Sequence, residues 1–421
     1  MRVVFVNLHS DWMLLRVAMV YVFKYSAAIK HGYLLKYLLE HPDEYEVCNY
    51  INDRGFSLYT NGSGLLMKIL NCFSGIENKI TLHKNGIDNA RITVLRKPEE
   101  IRPDDLVVLY NVCGEGLRGM DEIKAFKVLS MLHFHGRKEE NDKISQAGID
   151  CFFNEVDLSK TSEIFRKYYH IDKPWVIHPF VFAERFQNIK PFAERQNKAF
   201  STGTITYKTH EEFLSVYGVS CNQPARKFVK DNPEFFKDTI DCYSSDYLED
   251  NPGKKINPGD NPVVKIYKKI YNRTHVGKQK KYFSFNMVEK FNDYKMCIVG
   301  EEILGVPGIG FVEGMACGAA YIGIDSPMYR DMGLVPGEHY IVYDGTKEDL
   351  RRVIEYYQQP ENQQELERIA NRGCEFVRTH FKLFSRIFIF VRCTNNCYHF
   401  SISRKWNWSR NFTSRLSSHI D

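Results

Sequence analysis

Three glycines, Gly305, Gly308 and Gly310, crowd one short stretch, and a carboxylate, Glu313, follows three positions after the last. Glycine lets backbone N–H groups approach an anion closely, and a helix N-terminus adds a favourable dipole. A diphosphate is expected in the turn formed by Gly308, Ile309, Gly310 and Phe311. Glu313 falls in what reads as the first turn of a short helix, placed to accept hydrogen bonds from a ribose. Small residues follow (Gly314, Ala316, Gly318, Ala319, Ala320), then an apolar strand over 321–324. Together these predict a nucleotide-linked ligand at the carboxyl ends of parallel strands.

The whole stretch, GEEILGVPGIGFVEGMACGAAYIGID from 300 to 325, resembles the donor site of GT-B glycosyltransferases of the retaining family-4 type. Such enzymes often carry two glutamates in an E-x7-E pattern, the first near the sugar and the second on the ribose. Glu313 matches the second. The first falls on Gly305, so Glu301 or Glu302 would have to substitute, and Glu302 is taken as the donor-side carboxylate. The resemblance implies an α/β fold of two facing Rossmann-like domains with a cleft between them. It divides the chain into 1–190 on the acceptor side, 198–381 on the nucleotide-sugar side and a basic tail over 382–421. It implies a loop after the first strand of the second domain that carries a basic residue for the diphosphate. Gly203, Thr204 and Lys208 in "AFSTGTITYKTHEE" match it.

Two histidine sites complete the expected constellation. His133 and His135 sit two apart at a strand end, so in extended chain both point the same way. In the family a histidine on this loop often contacts the donor sugar or the reacting centre. His9 and Asp11 follow the first strand, where such folds line the acceptor side. A neutral imidazole beside a carboxylate can serve as base for an acceptor hydroxyl. The implied reaction is hexosyl transfer from a nucleotide-diphosphate sugar to a glycan or lipid-linked saccharide, in surface polysaccharide synthesis. Neither an Asp-x-Asp triplet nor a nucleic-acid motif is found, so a metal-independent enzyme without a cofactor is expected. A nucleotide-sugar epimerase on the same fold stays open, as does an inactive nucleotide-sugar-binding protein.

The elements that must position these residues read as alternating strands and helices. Strands are expected over 1–7, 104–110, 127–132, 149–153 and 175–179, with a long helical pattern over 13–40. A polar linker over 188–197 precedes a second set: a strand from Ala199, another in "YKMCIVGEE", and a closing strand, turn and helices over 339–381. Residues 231–263 are rich in Asp, Asn, Pro and Gly and read as an excursion.

The 421 residues suffice for two domains. Eleven cysteines without a framework and no visible signal peptide point to the cytoplasm. From Lys382 onward there are seven Lys or Arg and one acid, so the tail carries +6 and the rest −1 of the net +5. This tail reads either as a peripheral contact with the inner membrane face or as a non-native extension. A second basic cluster, from Lys265 to Lys281, reads as a solvated face or a diphosphate contact.

Overall fold

The computed structural model describes residues 1–8, 32–52, 83, 86–110, 114–131, 138–169, 173–178, 180–205, 221–246, 254–275 and 285–381. His9, Asp11, His133, His135 and Lys208, most of the expected helix over 13–40, and the tail lie outside these residues.

The first half is a parallel sheet of seven strands. Its elements in chain order are β1 (Arg2–Val6), α1 (Gly32–Glu40), β2 (Glu46–Tyr50), β3 (Ile92–Leu95), β4 (Leu106–Leu109), β5 (Phe126–Ser130), α2 (Lys138–Ala147), β6 (Cys151–Asn154), α3 (Leu158–Thr161), α4 (Glu163–Tyr168) and β7 (Trp175–Ile177). The strands stand in the order β3-β2-β1-β4-β5-β6-β7. Runs such as VVFV and LVVL are buried along their length, as strands covered on both faces must be. β2 and β3 were not foreseen. "EVCNY" and "ITVL" are short and interrupted by polar residues, and each is a strand because a neighbour supplies the ladder.

The second half holds β8 (Gln196–Ser201), β9 (Thr204–Ile205), α5 (Pro224–Asp231), β10 (Ile240–Cys242), β11 (Ser245–Asp246), α6 (Pro262–His275), α7 (Met287–Asp293), β12 (Tyr294–Ile298), α8 (Gly310–Ala316), β13 (Ala320–Ile324), α9 (Pro327–Asp331), β14 (Ile341–Tyr343), α10 (Lys347–Gln358) and α11 (Gln363–His380). Its main sheet runs β10-β8-β12-β13-β14, all parallel. The expected excursion over 231–263 is thus corrected in part. Residues 240–242 are an edge strand pairing with Ala199–Ser201, too short to show a period in the sequence. Helix starts follow local chemistry. Ser326 caps α9 ahead of Pro327, Thr346 caps α10, and Asn286 caps α7.

One apolar cluster runs through both halves, from Val4, Leu109 and Phe152 to Phe200, Phe311 and Tyr340. Phe180 stacks edge-on against Phe311 at 5.1 Å. Arg378 of α11 donates to the carbonyls of Phe186 (2.8 Å) and Ala316 (2.7 Å).

Candidate functional site

Register builds the site. Cys297 lies opposite Phe200 and Ile298 opposite Ser201, so β12 and β8 end level. The turns that follow them meet where the strand order reverses, the place where open parallel sheets bind ligands.

Between the two turns lies the side chain of Arg226, from the first turn of α5. It is buried. Nε donates to the Val299 carbonyl (2.5 Å), Nη1 to the Thr204 carbonyl (2.8 Å) and Nη2 to the Gly300 carbonyl (3.5 Å). A Cβ at Gly203 would fall 2.7 Å from its Nε, and one at Gly308 would fall 2.5 Å from Nη2. Both glycines are therefore required by the guanidinium that passes between them. Among the described residues no carboxylate pairs with Arg226. Burial pushes its pKa down, and Glu302 offsets this only at longer range. A guanidinium has five N–H donors, so two remain uncommitted. Nothing in "PARKF" marks this arginine in the sequence, because its surroundings come from two distant turns.

The predicted residues separate on inspection. Glu302 is half-buried and accepts from Gln223 Nε2 at 3.2 Å, on the α5 side of the turn. Glu301, the other candidate for the missing first glutamate, is committed inside the protein. It is buried and accepts from the Tyr329 hydroxyl, from the Tyr321 hydroxyl at 3.4 Å and from the Ile324 N–H at 3.2 Å. Gly305 explains the missing carboxylate. It closes a tight turn, donating to the Glu302 carbonyl at 2.7 Å, with φ at +85°, a conformation costly for glutamate. Phe311 contributes no free backbone donor, because its N–H goes to the Gly308 carbonyl at 3.1 Å and its ring is in the core. The N–H groups of Ile309 and Gly310 meet no backbone acceptor among the described residues.

Glu313 stands in α8, half-buried, its carboxylate with no hydrogen-bond partner among the described residues. Burial pushes its carboxyl up to about 7, while Arg185 pulls the other way. It is a carboxylate available to a ligand and poised near neutrality.

The carboxyl ends of the first sheet carry a second polar group that sequence reasoning missed. Both side-chain polar atoms of Asn154, at the end of β6, are buried without partners among the described residues. Beside it the His178 N–H donates to the Asn154 carbonyl at 2.8 Å. Burial lowers the His178 imidazole to about 4, so it is neutral at physiological pH. A separate cavity of about 470 Å³, lined by Leu117, Asp121, Lys143 and Gln146, contains none of the predicted residues.

Comparison with known proteins bears on the fold. Residues 257–389 match the family model described as "Glycosyl transferase-like". The sucrose-phosphate synthase of Thermosynechococcus elongatus shares the fold at a TM-score of 0.51 and 8% identity, covering 94% of this chain and 99% of that one. Anabaena HepE, in complex with UDP and glucose, does so at a TM-score of 0.50 and 10% identity, covering 94% and 100%. The same protein in complex with UDP-glucose gives a TM-score of 0.50 at 11% identity, again covering 94% and 100%. No curated protein matches the sequence. The chain has the GT-B fold. Part of its second half also carries the glycosyl transferase-like family signature.

Proposed function

We propose that the chain moves a sugar from a nucleotide-diphosphate sugar to an acceptor hydroxyl, with the donor held at the ends of β8 and β12. The observation that carries this reading is Arg226, a buried cation whose partners among the described residues are carbonyls, wedged between two glycine turns at the switch point. A buried charge without an opposite charge is costly. A diphosphate beside the two uncommitted N–H groups supplies the missing charge, assisted by Lys208 and by the N–H groups of Ile309 and Gly310. Glu313 takes the ribose. The UDP complexes of HepE make a uridine diphosphate sugar the first donor to try. The first half presents the acceptor side, with His9, Asp11, and His133 or His135 at the reacting centre. The acceptor is a glycan or lipid-linked saccharide of surface polysaccharide synthesis.

Calorimetry with a nucleoside diphosphate and with the matching nucleoside tests the site. Arg226→Gln should weaken the diphosphate by about 1.5–3 kcal/mol, the contribution of a hydrogen bond to a charged group, and leave the nucleoside unchanged. Equal loss for both ligands, or none for either, defeats the assignment.

We further propose retention of configuration and catalysis without a divalent metal. Turnover should survive exhaustive chelation. Loss with EDTA that magnesium or manganese restores would count against it, and an inverted product anomer by NMR would exclude retention. Consumption of donor to an epimer, without an acceptor, would favour the epimerase reading instead.

A further inference from the structure

Helix α6 is built the wrong way round for a helix of a globular domain. Val263, Ile266, Tyr267 and Ile270 recur at the spacing of one helical face, yet they are 75%, 57%, 52% and 39% exposed. The polar side of the helix is the one turned to the strap that precedes it. Asn272 exchanges hydrogen bonds with the backbone of Lys254, at 2.6 and 2.9 Å. Lys268 pairs with Asp260 at 2.7 Å, and Lys265 donates to the Pro258 carbonyl at 2.8 Å. These contacts tie α6 to the preceding strap, residues 254–260. Among the described residues α6 packs to no substantial extent on any other helix or strand.

Charge decides what the outward stripe meets. Residues 254–275 contain six Lys or Arg and one acid, Asp260, which Lys268 already engages. Lys255 and Lys269 are exposed, with no carboxylate partner among the described residues. Lys254 Nζ lies 4.6 Å over the Tyr267 ring and 4.4 Å over the Tyr271 ring, at the edge of the stripe. An apolar stripe flanked by cations is the pattern of a helix that lies in a lipid interface, its side chains among the acyl chains and its cations at anionic headgroups. A second copy fits less well. In a two-fold contact the same stripe faces itself, so the unpaired lysines would meet like charges.

We infer that α6 is a peripheral docking surface for an anionic phospholipid membrane. This holds whether or not the donor assignment is right, and it differs from a contact through the basic tail. The stripe supplies burial, and the lysines make the attachment depend on lipid charge and salt.

The full chain is floated with vesicles of phosphatidylcholine alone and of phosphatidylcholine mixed with phosphatidylglycerol, at low and high salt. Binding is expected to the mixed vesicles only, and to weaken with salt. Ile266→Glu combined with Ile270→Glu should lower the partition coefficient by about tenfold or more, since it puts charge where acyl chains must be met. Both positions are exposed, and circular dichroism checks that the fold is intact. Lys255→Ala with Lys269→Ala should reduce binding to the mixed vesicles and flatten its salt dependence. The inference is overturned if the unmodified chain ignores anionic vesicles. It is equally overturned if the double glutamate variant binds like the parent, which hands the contact to the tail. Parental self-association that this variant abolishes, without a change in vesicle binding, assigns the stripe to a second copy instead.

Discussion

A carboxyl group near neutrality at a ligand site gives a pH signature. Glu313 has its folded pKa raised above the unfolded value by burial. Its contribution to stability is therefore full below about pH 4.5, the unfolded pKa, and is lost as pH rises through about 7. Ligand binding should run the opposite way, because ribose hydroxyls donate to the ionised form. Nucleoside affinity is expected to tighten as pH rises from about 6 to about 8. Glu313→Gln should flatten that dependence and weaken binding by about 1–3 kcal/mol at the upper end. Using the nucleoside avoids the titration of the phosphates themselves. A nucleoside titration with the same slope in parent and variant sinks the ribose role. At this scale the helical position of Glu313 was legible, because it lies within one continuous motif. Arg226 was not, since Gly203 and Gly308 that flank it stand 23 positions before and 82 positions after it in the chain. The glycines announced that something approaches their backbones closely. They did not say whether it was a phosphate or a protein side chain.

Elements were legible where one segment carried its own pattern. The strands at β1, β4, β5, β6 and β7, and the strand and helices that close the chain, fall close to expectation. β2, β3 and β10 escaped because their stability comes from pairing rather than composition. The small residues after Glu313 had a structural reason besides ligand approach. A Cβ at Gly314 would lie 2.6 Å from Cys297 Sγ and 3.1 Å from the Phe291 ring, so α8 sits directly on β12. Cys297 and Phe291 are both fully buried and cannot yield into solvent. Gly314→Ala should therefore destabilise the fold by about 1–3 kcal/mol through overpacking, against the usual gain of replacing a helical glycine. Denaturant unfolding checks this, and a variant as stable as its parent would show that α8 can move off the sheet. Nucleotide affinity should fall too, because α8 carries Glu313.

At the scale of the molecule the question is whether two sheets make one folding unit. Closure on a ligand between the two halves would need them to shift, yet the core here is continuous from one sheet to the other. Two of the bridging contacts stand out among the described residues. Phe180 follows β7 by three positions, is buried, and meets Phe311 of α8 at 5.1 Å. Arg378 fastens the end of α11 to the Phe186 carbonyl. Each half has a core of its own as well, around Phe5 and Phe153 in the first and around Ile298 and Ile354 in the second. That arrangement predicts one coincident transition in denaturant by far-UV circular dichroism and by tryptophan fluorescence. Phe180→Ala removes an aromatic ring from the bridge and leaves both separate cores intact. It should cost about 3–5 kcal/mol at the contact, the usual range for a buried Phe truncation. The loss falls on the coupling, so the two probes should separate into two transitions, with the m-value of each lower than that of the parent. Adding nucleotide should then shift only the transition of the second half, since the residues proposed to hold the donor belong to that half. Two separate transitions in the unmodified protein would contradict the continuous core. A single transition in Phe180→Ala would mean that Arg378 and the chain crossing at 180–195 suffice to couple the halves.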